Sequence, residues 1–362
     1  MTQIQKIPEL LHQALGSFNR FESCALLDYP NYLNIGDHLI WIGAILYLKN
    51  IANIDIKYTA SIHDFSEKLM ETSIGDSPII FTGGGNLGDI WPAYQKFRER
   101  IICRYKDREI IILPQSIYFD SKENLRKTAN IFNSHPKLTL FTRDDYSYSI
   151  ALEAFKNCQI LKAPDMAFQI GSIPRLCLNN YSKNTVLYHC REDAEFNSNF
   201  SPDAIKVPNL VVEDWISFNW VLGSPKSEWM QSIAQLIREV WQRGLKTPNE
   251  WISRQLWQHS HPYIAQFNSV YNSKLHRRSW DFIYSGIYQF SQYRVIITNR
   301  LHGHILCTIL GIPHVLLPNS YYKNESFYET WTSALPFCRF VKEPAQVNSA
   351  VQEVLELFPQ NQ

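Results

Sequence analysis

The stretch Arg294-Val295-Ile296-Ile297-Thr298-Asn299-Arg300-Leu301-His302-Gly303-His304 decides the reading of this chain. Residues 294–298 form a short β-rich apolar run without clean polar alternation, which predicts a strand covered on both faces. Ile305, Leu306, Ile309 and Leu310 then mark one face of a helix starting at about His302, and Gly311 and Pro313 end it. A second strand, Pro313–Leu317, completes a βαβ unit. Arg300 and His302 thus stand at the C-terminal edge of a strand and the N-terminus of a helix. Free amides and the helix dipole favour anions there, and open α/β sheets bind ligands along that edge. The plainer reading is that Arg300 pairs with a carboxylate and His302 caps the helix. For zinc, His302 and His304 lack a neighbouring Cys/His/Asp pattern to complete a ligand set, so no metal is expected.

The same alternation of apolar run, loop and helical stretch recurs upstream. Ser23–Asp28, Pro78–Thr82, Glu109–Leu113 and Leu138–Thr142 read as strands, and Asp37–Asn50 as a buried helix. The pattern lapses after Ala163-Pro164-Asp165, and Thr185–His189 reads as the opening strand of a second unit. Residues 190–285 are less legible, with helical character around Ser227–Trp241 and Asn249–His259. The expected fold class is α/β, two Rossmann-like domains facing a cleft. Residues 1–175 are expected to form the first, 185–335 the second, and 336–362 a C-terminal helical tail.

Composition narrows the function. With 362 residues, 45% of them hydrophobic and 14% aromatic, the chain can bury a large core. Lys plus Arg is 35 and Asp plus Glu is 34, so the formal net charge is +1. No basic excess points to nucleic acid, and any anion site must be local. Seven cysteines without a Cys-x-x-Cys pair argue against a disulfide framework or zinc ribbon. The start carries no signal-peptide pattern, and the longest apolar run, Leu39–Leu48, is far short of the ~20 residues that span a bilayer. A cytoplasmic location with at most peripheral membrane contact is expected.

Further polar groups fall at strand ends. Gly83, Gly85 and Gly88 satisfy G-x-G-x-x-G, but the next strand runs into Leu113-Pro114-Gln115-Ser116 without the carboxylate that a dinucleotide site wants on the ribose. Gly84, Gly85 and Asn86 are better read as a loop that a ligand approaches closely. Asn34-Ile35-Gly36-Asp37 precedes the buried helix, and Asp37 is either an N-cap or a base for a sugar hydroxyl. Arg143 follows a strand, as does Lys323 in Pro318–Asn324. Either arginine could instead serve an ion pair, Arg143 with Asp145 for example. Together Arg143, Arg300, Lys323 and His302 form a cradle for a small polyanion.

These islands resemble, in order, the polysaccharide pyruvyl transferase family: Asn34–Asp37, the Gly83–Asp89 segment, Thr142-Arg143-Asp144, Ala163-Pro164-Asp165, Thr298–Gly303 and Gly311–Lys323, followed by Phe327, Tyr328 and Trp331. The resemblance implies a GT-B arrangement, with the first domain on the acceptor side and the second on the donor side, and transfer of the enolpyruvyl unit of phosphoenolpyruvate onto sugar hydroxyls of a polysaccharide or its precursor. A pyruvate ketal forms and phosphate leaves, with no cofactor. It implies donor-site roles for Arg143, Arg300 and His302, with Lys323 a fourth, and an acceptor-side role for Asp37. His302 fits a proton donor by class, either to C3 of the donor or to the leaving phosphate, and a contact that only positions the phosphate is the other reading. The expected partners are phosphoenolpyruvate and a sugar or lipid-linked oligosaccharide. Two other readings of the cleft stay open: a GT-B glycosyltransferase using a nucleotide sugar, and a non-catalytic sugar- or phosphate-binding protein. A product assay separates the first, and binding without turnover marks the second.

Overall fold

A computed structural model describes residues 3–16, 21–174, 176, 183–215, 246–261 and 263–358. The helix expected over Ser227–Trp241, and residues 175 and 177–182 of the patternless stretch before the second unit, lie outside these residues. In chain order the first part runs α1 (Gln3–Leu15), β1 (Ser23–Leu27), α2 (Ile35–Asn50), β2 (Asp55–Ala60), α3 (Glu67–Ile74), β3 (Ile79–Phe81), β4 (Gly84–Gly88), α4 (Pro92–Arg104), β5 (Ile110–Tyr118), α5 (Lys122–Asn133), β6 (Leu138–Thr142), α6 (Asp145–Ala154) and β7 (Gln159–Lys162). A 3-10 segment, Met166–Ser172, leads onward to β8 (Lys183–His189), β9 (Leu210–Glu213), α7 (Lys246–Ser260), α8 (Ser273–Phe290), β10 (Tyr293–Thr298), α9 (Leu301–Leu310), β11 (His314–Leu316), α10 (Lys323–Phe327), β12 (Cys338–Phe340) and α11 (Val347–Leu357).

The strands form two parallel sheets, as the buried apolar runs require. The first has the order β2-β1-β3-β5-β6-β7 with β4 alongside β5, and the second β12-β11-β10-β8-β9. Residues alternate between faces with period two. In the first sheet Leu26, Ile80 and Ile111 point to one core, while Ala25, Leu27, Ile79, Phe81, Ile110 and Ile112 point to another. In the second, Leu187 and Ile296 join that same first core, while Val186, Tyr188, Val295 and Ile297 face a third. One continuous apolar core therefore joins the two sheets. Helix α2 is at its centre, buried all round and packed on the 3-10 segment, α8 and α9. A helix apolar on every side has to be enclosed in this way.

The structure revises three expectations. The segment 336–362 is not a separate tail: β12 pairs with β11, and α11 packs on β10 and β11. The glycine segment is not a loop but strand β4, paired in parallel with β5. Strand β5 itself runs nine residues, through Pro114 to Tyr118. Gly88, at φ +134°, has Tyr118 O 1.7 Å from where a Cβ would stand, so only glycine admits this pairing.

Candidate active site

Five strand ends feed one cavity. Asp37 lies in the first turn of α2, after β1; Arg143 follows β6; Arg191 follows β8; Arg300 and His302 follow β10; Lys323 opens α10, after β11. The cavity has a volume of about 350 Å³, and its lining includes all of these together with Tyr32, Gly85, Asn86, Trp91, Tyr94, Asp193, Glu195 and Trp215. The carboxyl edges of both parallel sheets thus meet at one site, as the sheet-edge rule anticipates.

The cations are held by carboxylates. Arg300 donates from Nε and Nη2 to the two oxygens of Asp214, at 2.6 and 2.7 Å, and also lies 3.4 Å from Asp193. Arg143 donates from Nε to Ser116 Oγ at 2.9 Å and from Nη1 to Asp165 at 2.5 Å. The ion pair foreseen for Arg143 exists, but with Asp165; Asp145 faces outward onto Lys162. Arg191 pairs with Asp193 at 2.7 Å and Glu195 at 2.8 Å, and Glu195 also binds Lys323. Burial pushes Asp165, Glu195 and Asp214 upward, yet the adjoining Arg143 and His302, Lys323 and Arg191, and His189 and Arg300 respectively hold each carboxyl well below its usual range. Burial lowers Lys323 to about 8; Glu195 opposes this, while Arg191 and Arg143 reinforce it.

His302 does not cap its helix. Arg300 occupies the N-cap position without a side-chain bond, and the His302 ring turns to Arg143 instead, with Nε2 3.4 Å from Nη1 and 3.6 Å from Asp165. His304 points away from the cavity into the core, so the two histidines do not converge on a common ion. Asp37 is not the N-cap of α2 either; Asn34 is, accepting from Gly36 N at 3.1 Å. The Asp37 carboxylate accepts from Tyr32 Oη at 2.9 Å and Asn34 Nδ2 at 2.8 Å. Burial and the Asp37 charge keep the Tyr32 phenol protonated as that donor. Tyr32 packs edge-on against Tyr94, with ring centroids 5.8 Å apart.

Of the glycine segment, Gly85 and Asn86 line the cavity and Gly84 lies behind them. The Asn86 side chain is already engaged by Asp28, Arg98 and Gln115. Reading the sequence missed Arg191, Asp193, Glu195, Asp214 and Trp215, all from the stretch without a clear pattern. Arg191 stands two residues past β8, so its position at a strand end was the available signal. Tyr32, Trp91 and Tyr94 carried no signal, because isolated aromatics in loops and first turns are common.

The sequence pattern of the family described as "Polysaccharide pyruvyl transferase" matches residues 34–321. The chain is 31% identical over 320 residues to EpsO of Bacillus subtilis (strain 168), a candidate pyruvyl transferase by name, covering 88% of each protein. It is 29% identical to Pyruvyl transferase 1 of Schizosaccharomyces pombe (strain 972 / ATCC 24843), covering 87% of this chain and 71% of that one. In fold it is similar to a functionally uncharacterised protein from Klebsiella pneumoniae subsp. pneumoniae NTUH-K2044, with a TM-score of 0.54, 19% identity, and coverage of 94% and 100% of the two chains. The matched span reaches from the Asn34 cap through both sheets to Tyr321, and on that basis the chain belongs to the polysaccharide pyruvyl transferase family.

Proposed function

We propose that this transferase takes phosphoenolpyruvate as donor and forms a pyruvate ketal on two hydroxyls of a sugar in a polysaccharide or its precursor. The observation that carries the reading is the composition of this cavity. Arg143, Arg191, Arg300, Lys323 and His302 share it with Asp37 and the aromatic rings of Tyr32, Trp91 and Tyr94. A donor bearing both a carboxylate and a phosphate suits several oriented cations, and a pyranose suits aromatic faces beside a carboxylate acceptor. The two parallel sheets meeting at a shared ligand edge also support the GT-B description.

In this reading the arginines and Lys323 hold the donor's two anionic groups, their own geometry set by Asp165, Asp193, Glu195 and Asp214. His302 delivers a proton to C3 of the enolpyruvyl group, leaving an oxocarbenium-like centre at C2. A sugar hydroxyl adds to C2 and gives its proton to Asp37. The C2–O bond to phosphate then breaks, the leaving group departing toward Arg143 and Arg300 and taking up the proton that Asp37 accepted. The second hydroxyl closes the ketal and gives its proton to His302, which restores the starting protonation states. The test is release of inorganic phosphate from phosphoenolpyruvate against a panel of glycosides, without added divalent metal, with product mass measured. A mass gain equal to one pyruvyl ketal per phosphate released is expected. Glycosyl transfer from nucleotide sugars with no phosphate from phosphoenolpyruvate would replace this reading.

A further inference from the structure

We propose that His304, His314 and Cys338 form a structural site for a thiophilic cation of the Zn²⁺ class, which ties helix α9 to strands β11 and β12. These three residues come from three different elements and are essentially inaccessible to solvent. One donor atom from each lies within 4.8 Å of the others. His304 Nδ1 is 3.6 Å from Cys338 Sγ, the edge of a tetrahedron built on Zn–N of about 2.0–2.1 Å and Zn–S of about 2.3 Å. His304 Nδ1 and His314 Nε2 are 2.7 Å apart and would open by roughly 0.6 Å to reach the matching N–N edge.

The remaining ring nitrogens already have the partners that ligating histidines use. His314 Nδ1 lies 2.7 Å from the carbonyl of Ile312, and His304 Nε2 lies 2.9 Å from Thr332 Oγ1. If each outer nitrogen carries its proton toward that oxygen, His304 Nδ1 and His314 Nε2 both present lone pairs inward. Two facing lone pairs with no proton between them repel, and a cation resolves the conflict. The donor set of two imidazoles and a thiol selects a borderline-soft ion over Mg²⁺ or Ca²⁺. Cys307, three residues after His304 on α9, is a further buried thiol, but its sulfur lies outside the 4.8 Å cluster, so three protein ligands define the site. The site would anchor the helix whose N-cap is Arg300 and whose first turn carries His302. Its role is therefore support of the fold and not the reaction itself.

The test uses the full chain without a histidine tag, expressed in zinc-supplemented and, separately, cobalt-supplemented medium and then desalted. Elemental analysis should find about one equivalent of zinc per chain, and the cobalt form should show a thiolate-to-metal charge-transfer band. Cys338→Ser and His314→Gln should each lower metal content at least tenfold and abolish that band. Wild-type protein that is folded, carries below about a tenth of an equivalent of zinc and shows no cobalt band overturns the site. The trio would then be a hydrogen-bonded histidine pair beside a thiol. Because the wild-type measurement decides alone, the proposal stays testable even where a variant does not fold. Undiminished metal content in both variants would equally exclude this ligand set.

Discussion

Arg300 and His302 stand two residues apart and answer to different partners, the first gripped by Asp214, the second turned onto Arg143. Arg300→Ala should weaken donor binding by about 2–4 kcal/mol, as deletion of one member of a buried charged pair does. His302→Ala should instead lower turnover by about a hundredfold or more while donor affinity changes little. Calorimetric affinity and phosphate release on folded variants separate the two; a His302→Ala protein with near-normal turnover removes the acid role. Lys323 adds a pH dependence. Its ammonium is charged below about 8 and neutral above, so rising pH strips a cation from the cradle. We expect kcat/KM for the donor to fall above about pH 8, and Lys323→Arg, which stays charged, to lose that alkaline limb. An unchanged limb in the arginine variant would assign it to another group.

At the scale of elements, the site depends on how closely α2 approaches the start of α9. A Cβ on Gly36 would stand 2.2 Å from His302 Nδ1 and 2.5 Å from Cγ, so the first turn of one helix is moulded to a side chain of the other. Gly36→Ala should displace His302 and lower kcat by roughly tenfold or more, with a destabilisation of about 1–3 kcal/mol from overpacking. Alanine is intrinsically the better helix former by up to ~1 kcal/mol, so any loss must arise from the contact between helices. Turnover and thermal midpoint measured together check this; a stable Gly36→Ala enzyme with wild-type kcat contradicts the moulded contact. Gly36 was legible only as part of the Asn34–Asp37 motif. Its reason for being glycine lies about 266 residues away in sequence.

For the whole molecule, Asp165, Glu195 and Asp214 couple stability to pH. Their folded pKa values lie below the ordinary carboxylate range of about 4, so each contributes stability that is complete above that range and lost as pH falls through the folded value. Asp28 and Asp281, whose carboxyls burial pushes up, act in the opposite sense. The clean measurement is therefore a difference. The thermal midpoint of wild type should exceed that of Asp165→Asn at pH 7, and the gap should narrow progressively below about pH 5. A gap that is constant down to pH 3 would show that Asp165 is not held ionised by Arg143 and His302.

The α/β class, the strand and helix around Arg300 and the grouping of Arg143, Arg300, His302 and Lys323 at one ligand edge were legible in sequence alone. Each rests on local physics: unbroken apolar runs make doubly covered strands, and a polar residue just past such a strand lies on the ligand edge. Asp37 was attached to the site only through the family resemblance. Other features were decided only by tertiary structure. Asp165 rather than Asp145 receives Arg143, Asn34 rather than Asp37 caps α2, and His304 turns from His302 toward His314 and Cys338. Arg191 and Asp214 enter the site from a stretch with no periodicity to read. All of these are pairings between residues remote in sequence or choices among neighbouring polar groups. Local propensity is nearly indifferent to such choices, and they are settled only when the two sheets close on α2 and exclude water from every polar group left without a partner.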